Sequence, residues 1–414
     1  MDILIRGAGF VNKGAEAMLR TVEQQLGQRI GNACFCMMVP QRRAEQVRAA
    51  GFFPIFTKGG KFRKLSSLIT VALCDRRILK VALVSPQAAL QIKDLKDISA
   101  VVDISGFSYS DVWGYESSKF ASVLLEYFHT RAKPYFFMPQ AWGPFNQPLV
   151  ARYIKSFCPK ANVIYARDQQ SYDYLTATLG ALSAEIRMAP DIAFRFKAAQ
   201  SQVGCSLLSK LGVDVGGRAI VGLAPNMRVY ERVIESGSEN AYLKVMIDIA
   251  EYCIEELGAA VVLIPHEIAS SGGNDVDDRF LCNAVEAAVE SRGKKPIAAM
   301  VEDYSAEVIK SVIGHLDLLV GSRYHSLVAA LSSRVPAVAL GWSHKYVELM
   351  RLVALEDYVV DYPKLNKTIV LEKVSDAWAK RKAHKAFLKS CLPAIESEVD
   401  AVFDYVAEEI RANR

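Results

Sequence analysis

The feature of this sequence that most restricts its fold is a repeated alternation of short apolar runs with segments of helical periodicity. The apolar run DILIRGAG (2–9) ends in glycines, and AEAMLRTVEQQLG (15–27) then places apolar side chains at helical spacing. Repeated strand-to-helix units build a parallel sheet whose two faces are covered by helices. The chain is therefore predicted to be an α/β protein.

The alternation runs to about residue 196 and then restarts. Further predicted strands are ACFCMMVP, ISAVVDISG, KPYFFMPQ, ANVIYARD and EIRMAPDIAF in the first half, and RAIVGLAPN, AAVVLIPHE, LDLLVGS and VPAVALGW in the second. Since 414 residues exceed one ordinary core, we predict two tandem Rossmann-like, doubly wound domains, 1–196 and 197–370, facing a cleft. Two helices separated near Pro393 are predicted in residues 371–414, packing across the domains.

Composition excludes several classes of protein. The net charge of +5, from 50 basic and 45 acidic groups, is far from that of a dedicated nucleic-acid binder, so no nucleic-acid partner is expected. The eight cysteines form no CxxC pair and no Cys/His cluster at zinc spacing, which predicts reduced thiols and no metal site.

The opening residues MDILIRGAGF fit neither a signal peptide nor a transit peptide, and no window reaches the roughly 18 apolar residues of a spanning helix. A cytoplasmic protein is predicted. Residues 58–84 join a basic cluster to an interrupted apolar stretch. This pattern fits an interfacial helix in peripheral contact with the inner face of a membrane, and equally a domain helix with a solvated basic face.

The stretch LLVGSRYHSLVAALSSRVPAVAL (318–340) carries the strongest candidate site. Ser322, Arg323 and His325 stand where a predicted strand gives way to a helix, whose N-terminus favours anions. Arginine adds a planar charged fork and histidine a proton donor. For an isolated SRYH, a packed histidine beside a capping serine would be the simpler interpretation. The next junction, however, again supplies His344 and Lys345.

Two other strand ends of the second half carry similar groups. Asn226 and Arg228 follow one strand, and His266 and Glu267 follow another. Each alone is typical of an ordinary surface loop. Because the carboxyl ends of parallel strands share one sheet edge, the clustering predicts an anion site, for a phosphate group, in this half.

The first half has a different character. Its glycine-rich turn GAGFVNKGAEAMLR lacks the GxGxxG register and the Ser or Thr of a P-loop, so neither nucleotide motif is assigned. Asn12 and Glu16 stand at the following helix start, where they would contact sugar hydroxyls. Arg167 with Asp168 predicts either an internal ion pair or a ligand contact across the cleft.

Hydrogen-bonding and aromatic side chains follow two more strands of the first half. They are Asp103, Ser105 and Asp111 in VVDISGFSYSDVWG, and Gln140 and Trp142 in FMPQAWGPF. Neutral or acidic polar groups beside aromatic surface predict a lining for a carbohydrate.

Several of these segments together resemble the polysaccharide pyruvyl transferases, which look like two-domain glycosyltransferases of the GT-B type. The matching segments span most of positions 1–350: GAGFVNKGAEAML, DISG, PQAWGP, ARDQQSYDYL, APDIAF and SRYHSLVAALSSRVPAVALGWSHKY. The resemblance implies transfer of a pyruvyl group from phosphoenolpyruvate to two hydroxyls of a sugar, in a polysaccharide or lipid-linked oligosaccharide, as a cyclic ketal. It places the acceptor in 1–196 and the donor in 197–370.

The family's donor-binding arginine and histidine fall on Arg323 and His325, a second arginine on Arg228, and its lysine on Lys345. His325 is the expected general acid for the methylene carbon of phosphoenolpyruvate. Asp103, before Glu16, is the expected base for the hydroxyl protons. The other expected substrate contacts are His344, Asn226, Ser322, Arg167 and Asn12. The scheme requires no metal or cofactor, and the sequence has no Asp-x-Asp metal motif.

Other functions remain open on the residues alone. The main alternative is a GT-B glycosyltransferase that uses a nucleotide sugar, which would share the basic site of the second half. A non-catalytic protein that binds anionic glycans is another. An epimerase acting on a nucleotide sugar is disfavoured, because no ordered pair of acids stands at matching junctions.

Overall fold

The computed structural model describes residues 1–40, 43–57, 93–233, 240–269 and 277–413. The chain divides into two compact units: unit 1 is Met1–Ala8, Met18–Ile192 and Glu398–Arg414, and unit 2 is Gly9–Ala17 and Ala193–Ser397. These limits differ from the predicted 1–196, 197–370 and 371–414. The segment Gly9–Ala17 groups with unit 2 because its backbone bonds to residues that follow a strand of that unit, as described below.

The described residues of unit 1 form a seven-stranded, fully parallel sheet in the order β3-β2-β1-β4-β5-β6-β7. Its strands are β1 Asp2–Arg6, β2 Cys34–Pro40, β3 Phe53–Thr57, β4 Ala100–Asp103, β5 Tyr135–Gln140, β6 Val163–Ala166 and β7 Ile186–Met188. Its helices are α1 Lys13–Ile30, which begins in unit 2, α2 Ala44–Ala49, α3 Glu116–His129, α4 Pro148–Phe157 and α5 Gln169–Leu179.

Burial explains why the strands of unit 1 read as continuous apolar runs. Every residue of β4 and β5 is buried, as expected for a parallel sheet covered on both faces. One face packs against the apolar sides of α3, α4 and α5 in a single core cluster. At the end of β1, Arg6 lies opposite Asp103, the last residue of β4.

The described residues of unit 2 form a six-stranded parallel sheet in the order β10-β9-β8-β11-β12-β13. Its strands are β8 Ile220–Ala224, β9 Ala260–Leu263, β10 Ile297–Ala299, β11 Leu318–Gly321, β12 Ala337–Gly341 and β13 Val359–Asp361. Its helices are α6 Ser201–Lys210, α7 Met227–Tyr230, α8 Ala241–Glu255, α9 Arg279–Ser291, α10 Ala306–Ile313, α11 Tyr324–Ser332 and α12 Lys345–Arg351.

The two parallel α/β units confirm the predicted fold class, and each strand named from the sequence is present. Three strands were not predicted, namely β3, β10 and β13. All three lie at sheet edges. Edge strands are short and need less apolar sequence, and β3 also contains Pro54, which an edge position tolerates.

The C-terminal region is a single helix, α13 Lys367–Ala412, rather than the predicted two. Pro393 lies inside it. Proline removes one helical hydrogen bond, but Leu388, Leu392 and Ile395 on either side of it are almost fully buried. Burial of these apolar side chains keeps the helix continuous across Pro393. The sequence prediction considered only the local effect of proline and therefore divided the helix.

Within the described ranges, no helix has both the length and the apolar character needed to cross a bilayer. The basic amphipathic segment 58–84 lies outside the described residues. Its interpretation therefore rests on sequence alone.

Candidate active site

The candidate site of unit 2 lies where the strand order reverses, between β8 and β11. Ligands of open α/β sheets bind beyond the carboxyl ends of the strands at such a point. Ser322 and Asn226, which follow these two strands, are buried and bonded to each other, since Asn226 Nδ2 donates to the Ser322 carbonyl at 2.7 Å. Tyr242 donates its hydroxyl to Ser322 Oγ at 2.8 Å, and Tyr346 donates to the Ser322 carbonyl.

These bonds correct the expected role of the two residues. Asn226 also caps α7, where its Oδ1 accepts from the Arg228 amide at 2.9 Å. Ser322 has no exposed surface. Asn226 and Ser322 therefore fix the strand ends to one another, and we do not retain them as substrate ligands.

Asp278, a residue that the sequence analysis did not single out, organises three strand ends. It has no exposed surface. Its carboxylate accepts from the backbone amides of Met227 at 3.1 Å, His266 at 3.1 Å and Glu267 at 2.8 Å. It also accepts from Arg323 at 2.5 Å. A buried charge with this set of donors is fully compensated.

Arg323 is held by two carboxylates. Its Nη2 donates to Asp278 and its Nη1 donates to Glu267 Oε2, each at 2.5 Å. Burial alone would lower the pKa of Arg323, but Asp278 and Glu267 raise it above its ordinary value. Its buried Nε has no hydrogen-bond partner among the described residues. Arg323 is therefore a fixed, oriented donor, and not the free anion-binding fork that the sequence suggested.

His325 lies in the first turn of α11, against the backbone of Gly14. A Cβ atom at Gly14 would be 2.1 Å from His325 Nδ1, which is too close for any side chain. The sequence assigned Gly14 only to a glycine-rich turn, and its contact with His325 was not foreseen. Glycine is required here because the imidazole occupies the place of its side chain.

The segment Gly9–Ala17 is attached to unit 2 by backbone hydrogen bonds. The Lys13 amide donates to the His266 carbonyl at 2.8 Å, and the Ile268 amide donates to the Val11 carbonyl at 2.9 Å. Asn12 and Glu267 form an antiparallel bridge between these bonds. The turn that was assigned to the acceptor side thus packs beside Glu267, a partner of Arg323.

Side chains of the same segment are already engaged. Asn12 Oδ1 caps α1, accepting from the amides of Gly14 at 3.0 Å and Ala15 at 3.1 Å, so we do not retain Asn12 as a sugar ligand. Lys13 is buried and bridges Glu16 at 3.2 Å and Asp303 at 2.6 Å. Burial raises the pKa of Glu16 above its ordinary value, while Lys13 opposes this shift.

His266 stands at the centre of this arrangement and is 5% exposed. Its pKa is lowered to about 3, first by burial and then by the proximity of Arg323, His325 and Lys13. Its Nδ1 has no hydrogen-bond partner in the described part of the chain. His266 is therefore a buried, neutral imidazole close to Arg323, His325 and Lys13.

Lys345 and His344 follow β12, as expected from the sequence. Lys345 is buried, and its Nζ lies 4.4 Å from the ring centroid of Trp342, 5.5 Å from that of Tyr346 and 5.7 Å from that of Tyr324. Such rings stabilise an ammonium group by cation–π attraction. His344 immediately precedes α12, and Arg228, half-buried on α7, lies 3.5 Å from Glu231.

In unit 1, Asp103 is the centre of a buried network. It has no exposed surface and accepts from Arg6 at 2.5 Å, from Tyr109 at 2.7 Å and from Tyr135 at 2.8 Å. Its other oxygen accepts from the Ser105 amide at 3.0 Å. Burial, with the charge of Asp103, raises the pKa of Tyr135 well above its ordinary value. Four donors occupy this carboxylate, so we do not retain Asp103 as the base.

Three further expectations for unit 1 are settled by contacts. Arg167 pairs with Asp191 at 2.7 Å, and the side chains of both are buried, so Arg167 takes part in an internal ion pair. Trp142 is buried and stacks on Tyr109 in the core. Asp111 accepts from the amides of Asn146 and Gln147 and fastens a loop.

Comparisons with known proteins agree with this architecture. A solved structure of UDP-GlcNAc 2-epimerase from Neisseria meningitidis bound to UDP-GlcNAc superposes with a TM-score of 0.61 at 9% identity, covering 99% of this chain and 100% of that one. Anabaena HepE in complex with UDP gives a TM-score of 0.58 at 12% identity, covering 100% of both chains. At these identities the likeness shows the fold alone.

Sequence comparisons are more specific. The chain is 20% identical over 301 residues to the amylovoran biosynthesis protein AmsJ of Erwinia amylovora, covering 70% of this chain and 68% of that protein. The family description "Polysaccharide pyruvyl transferase" matches residues 12–344, well over half of the chain. That range includes Gly14, Arg323 and His325, and this chain belongs to the polysaccharide pyruvyl transferase family.

Proposed function

We propose that this transferase moves a pyruvyl group from phosphoenolpyruvate to two hydroxyls of one sugar, forming a cyclic ketal on a polysaccharide or a lipid-linked oligosaccharide. Membership of the family supports pyruvyl transfer. The likeness to a protein of amylovoran biosynthesis supports a polysaccharide pathway. Since phosphoenolpyruvate is an intracellular metabolite, we place the reaction in the cytoplasm.

The observation that carries the donor assignment is the grouping of basic side chains at the N-terminus of α11, where Arg323 and His325 lie beside the segment that carries Lys13. All three lie close to the buried, neutral ring of His266. An anion such as phosphoenolpyruvate, with a carboxylate and a phosphate, would be stabilised where these side chains meet the N-terminus of α11. The oriented N–H groups of Arg323 would bind one anionic group. Lys345, with His344 and Arg228, would bind the other.

His325 is the general acid of the proposed reaction. It donates a proton to C3 of phosphoenolpyruvate, which leaves positive charge at C2. The first sugar hydroxyl then bonds to C2 and loses its proton. Phosphate leaves with the electrons of its C–O bond, and the second hydroxyl closes the ring and loses its proton. Of the two protons released, one restores His325 and the other leaves with phosphate.

Glu16 replaces Asp103 as the proposed base. It stands two residues after Gly14, whose backbone contacts His325. Burial raises the pKa of Glu16, which makes its carboxylate a stronger base than an ordinary glutamate. Both proton-transfer groups then belong to unit 2.

The test is incubation with phosphoenolpyruvate and a panel of galactose, mannose, glucose and N-acetylhexosamine acceptors. We expect sugar-dependent release of phosphate together with an acid-labile product. His325→Gln should lower the rate about 100-fold or more, whereas His129→Gln, at an exposed site in unit 1, should not. Phosphate release without dependence on sugar would contradict the proposal.

Two controls separate the alternatives. A glycosyltransferase that uses a nucleotide sugar should bind UDP or GDP in competition with phosphoenolpyruvate and should transfer sugar from the nucleotide. A non-catalytic glycan-binding protein should keep its biological role in the His325→Ala and Arg323→Ala variants and should show no turnover.

A further inference from the structure

A cavity of about 260 Å³ lies in unit 1, and its lining includes none of the residues assigned to the proposed donor site. It stands beyond the ends of β1 and β4, where the strand order of this sheet reverses. Its lining includes Arg6, Met38, Ser105, Ser108, Ser117 and Phe120. None of the described residues that line it is acidic, so the charge of the cavity depends on whether Arg6 is paired.

The charge of Arg6 is already compensated. Its Nη1 donates to Asp103 at 2.5 Å and to Ser105 Oγ at 3.1 Å, and its Nη2 donates to the Ser117 carbonyl at 3.2 Å. A buried arginine paired with a buried carboxylate presents little net charge to a ligand. This cavity therefore favours an uncharged occupant.

The serines offer oxygen lone pairs that can accept hydrogen bonds. Ser105 Oγ accepts from Arg6 and its hydroxyl also bonds to Tyr109, so its second oxygen lone pair is the group it offers to a ligand. Ser108 donates to the Ser105 carbonyl at 2.7 Å, and its oxygen lone pairs are not used in that bond. Sugar hydroxyls both donate and accept, and a pair of such acceptors matches two neighbouring hydroxyls.

The remaining lining is apolar and held in place. Phe120 is half-buried, and the guanidinium carbon of Arg6 lies 5.2 Å from its ring centroid, which restricts the ring. Met38 adds apolar surface. A pyranose has an apolar C–H face as well as its hydroxyls. The volume is below the roughly 300–1,000 Å³ of pockets for drug-sized ligands, which suits one sugar ring rather than two.

We propose that this cavity binds one uncharged hexopyranose, with Phe120 against its C–H face and Ser105 and Ser108 on its hydroxyls. The identification of that ring as part of the acceptor rests on the proposed function. The binding of the ring to unit 1 does not, because it depends only on the cavity.

The experiment measures binding to the full chain without phosphoenolpyruvate. Saturation-transfer NMR titrations would use the methyl pyranosides of glucose, galactose and mannose, with methyl glucuronide and glucose 1-phosphate as charged probes. We expect at least one neutral pyranoside to bind. Phe120→Ala should weaken its binding about 10-fold or more, and Phe387→Ala, which removes a phenylalanine 45% exposed on α13, should not.

Ser105→Ala and Ser108→Ala test the hydroxyl contacts with smaller changes, and each should weaken binding several-fold. Thermal melting confirms that every variant is folded. The proposal is overturned if no neutral pyranoside binds, if the charged probes bind more tightly, or if Phe120→Ala binds like the wild type. If the enzyme transfers pyruvyl groups but Phe120→Ala binds the sugar as the wild type does, this sugar site is wrong and the proposed function still stands.

Discussion

The backbone of Gly14 lies directly against the imidazole of His325, so that a methyl group at Gly14 would stand 2.1 Å from His325 Nδ1. Gly14→Ala must therefore displace the ring. Because a shift of about 1 Å in a catalytic group can reduce a rate about 100-fold, we expect a loss of 10- to 100-fold in phosphate release from phosphoenolpyruvate. Gly9→Ala is the matched control, since nothing lies within 4 Å of its added atom. Equal activity of the two variants would contradict this role of Gly14.

Glu16 gives a prediction for the pH dependence of turnover. Its pKa is raised above the ordinary 4.5 by burial. A base is active when unprotonated, so kcat/KM should fall as the pH is lowered through that raised pKa. Glu16→Gln should reduce kcat/KM about 100-fold and abolish this acid limb. Glu23→Gln, on the same helix, should keep the wild-type kcat/KM and the acid limb of the pH profile. An unchanged pH profile in Glu16→Gln would exclude Glu16 as the base.

His266 makes the folded chain sensitive to acid. Its pKa is about 3 in the folded state against an ordinary 6.5, so the unfolded state binds a proton more readily, and stability falls as the pH drops below 6.5. Between pH 7 and pH 5 this linkage amounts to about 2 kcal/mol. His266→Gln removes it. Its unfolding free energy in urea should therefore fall less with acid than that of the wild type, whereas His129→Gln should follow the wild type.

Asp103→Asn tests the network in unit 1. The substitution leaves the buried Arg6 without its charged partner, and we expect a loss of about 3–5 kcal/mol in unfolding free energy. Urea denaturation of this variant is compared with that of Asp173→Asn, an exposed residue that accepts a single side-chain hydrogen bond. Full stability combined with lost turnover would instead restore Asp103 to the role of base.

Strand-to-helix alternation in the sequence was sufficient to predict two parallel α/β units, because that signal is local and repeats. It also identified Arg323, His325, His344 and Lys345 at strand ends. The sequence could not reveal which buried side chains bond to one another, because the bonded residues lie far apart along the chain. Arg6 meets Asp103 through the register of β1 with β4, 97 residues apart, and Asp278 meets Arg323 across 45 residues.

The position of Gly9–Ala17 could not be predicted for a different reason. Its attachment to unit 2 uses backbone groups of Val11, Lys13, His266 and Ile268. Main-chain hydrogen bonds of this kind carry no side-chain signature. The sequence therefore assigned Asn12 and Glu16 to the first domain, which precedes and follows them along the chain. In the structure they belong to unit 2.

Asp278 has a consequence for attempts to redesign the candidate site of unit 2. Its carboxylate accepts from Arg323 and from the backbone amides of Met227, His266 and Glu267. These bonds depend on where the three amides lie and not on which side chains those residues carry. Loops exchanged from other family members would therefore be tolerated when they reproduce the path of the chain at these three positions. A single inserted residue there would reorient the guanidinium, however similar the transplanted sequence.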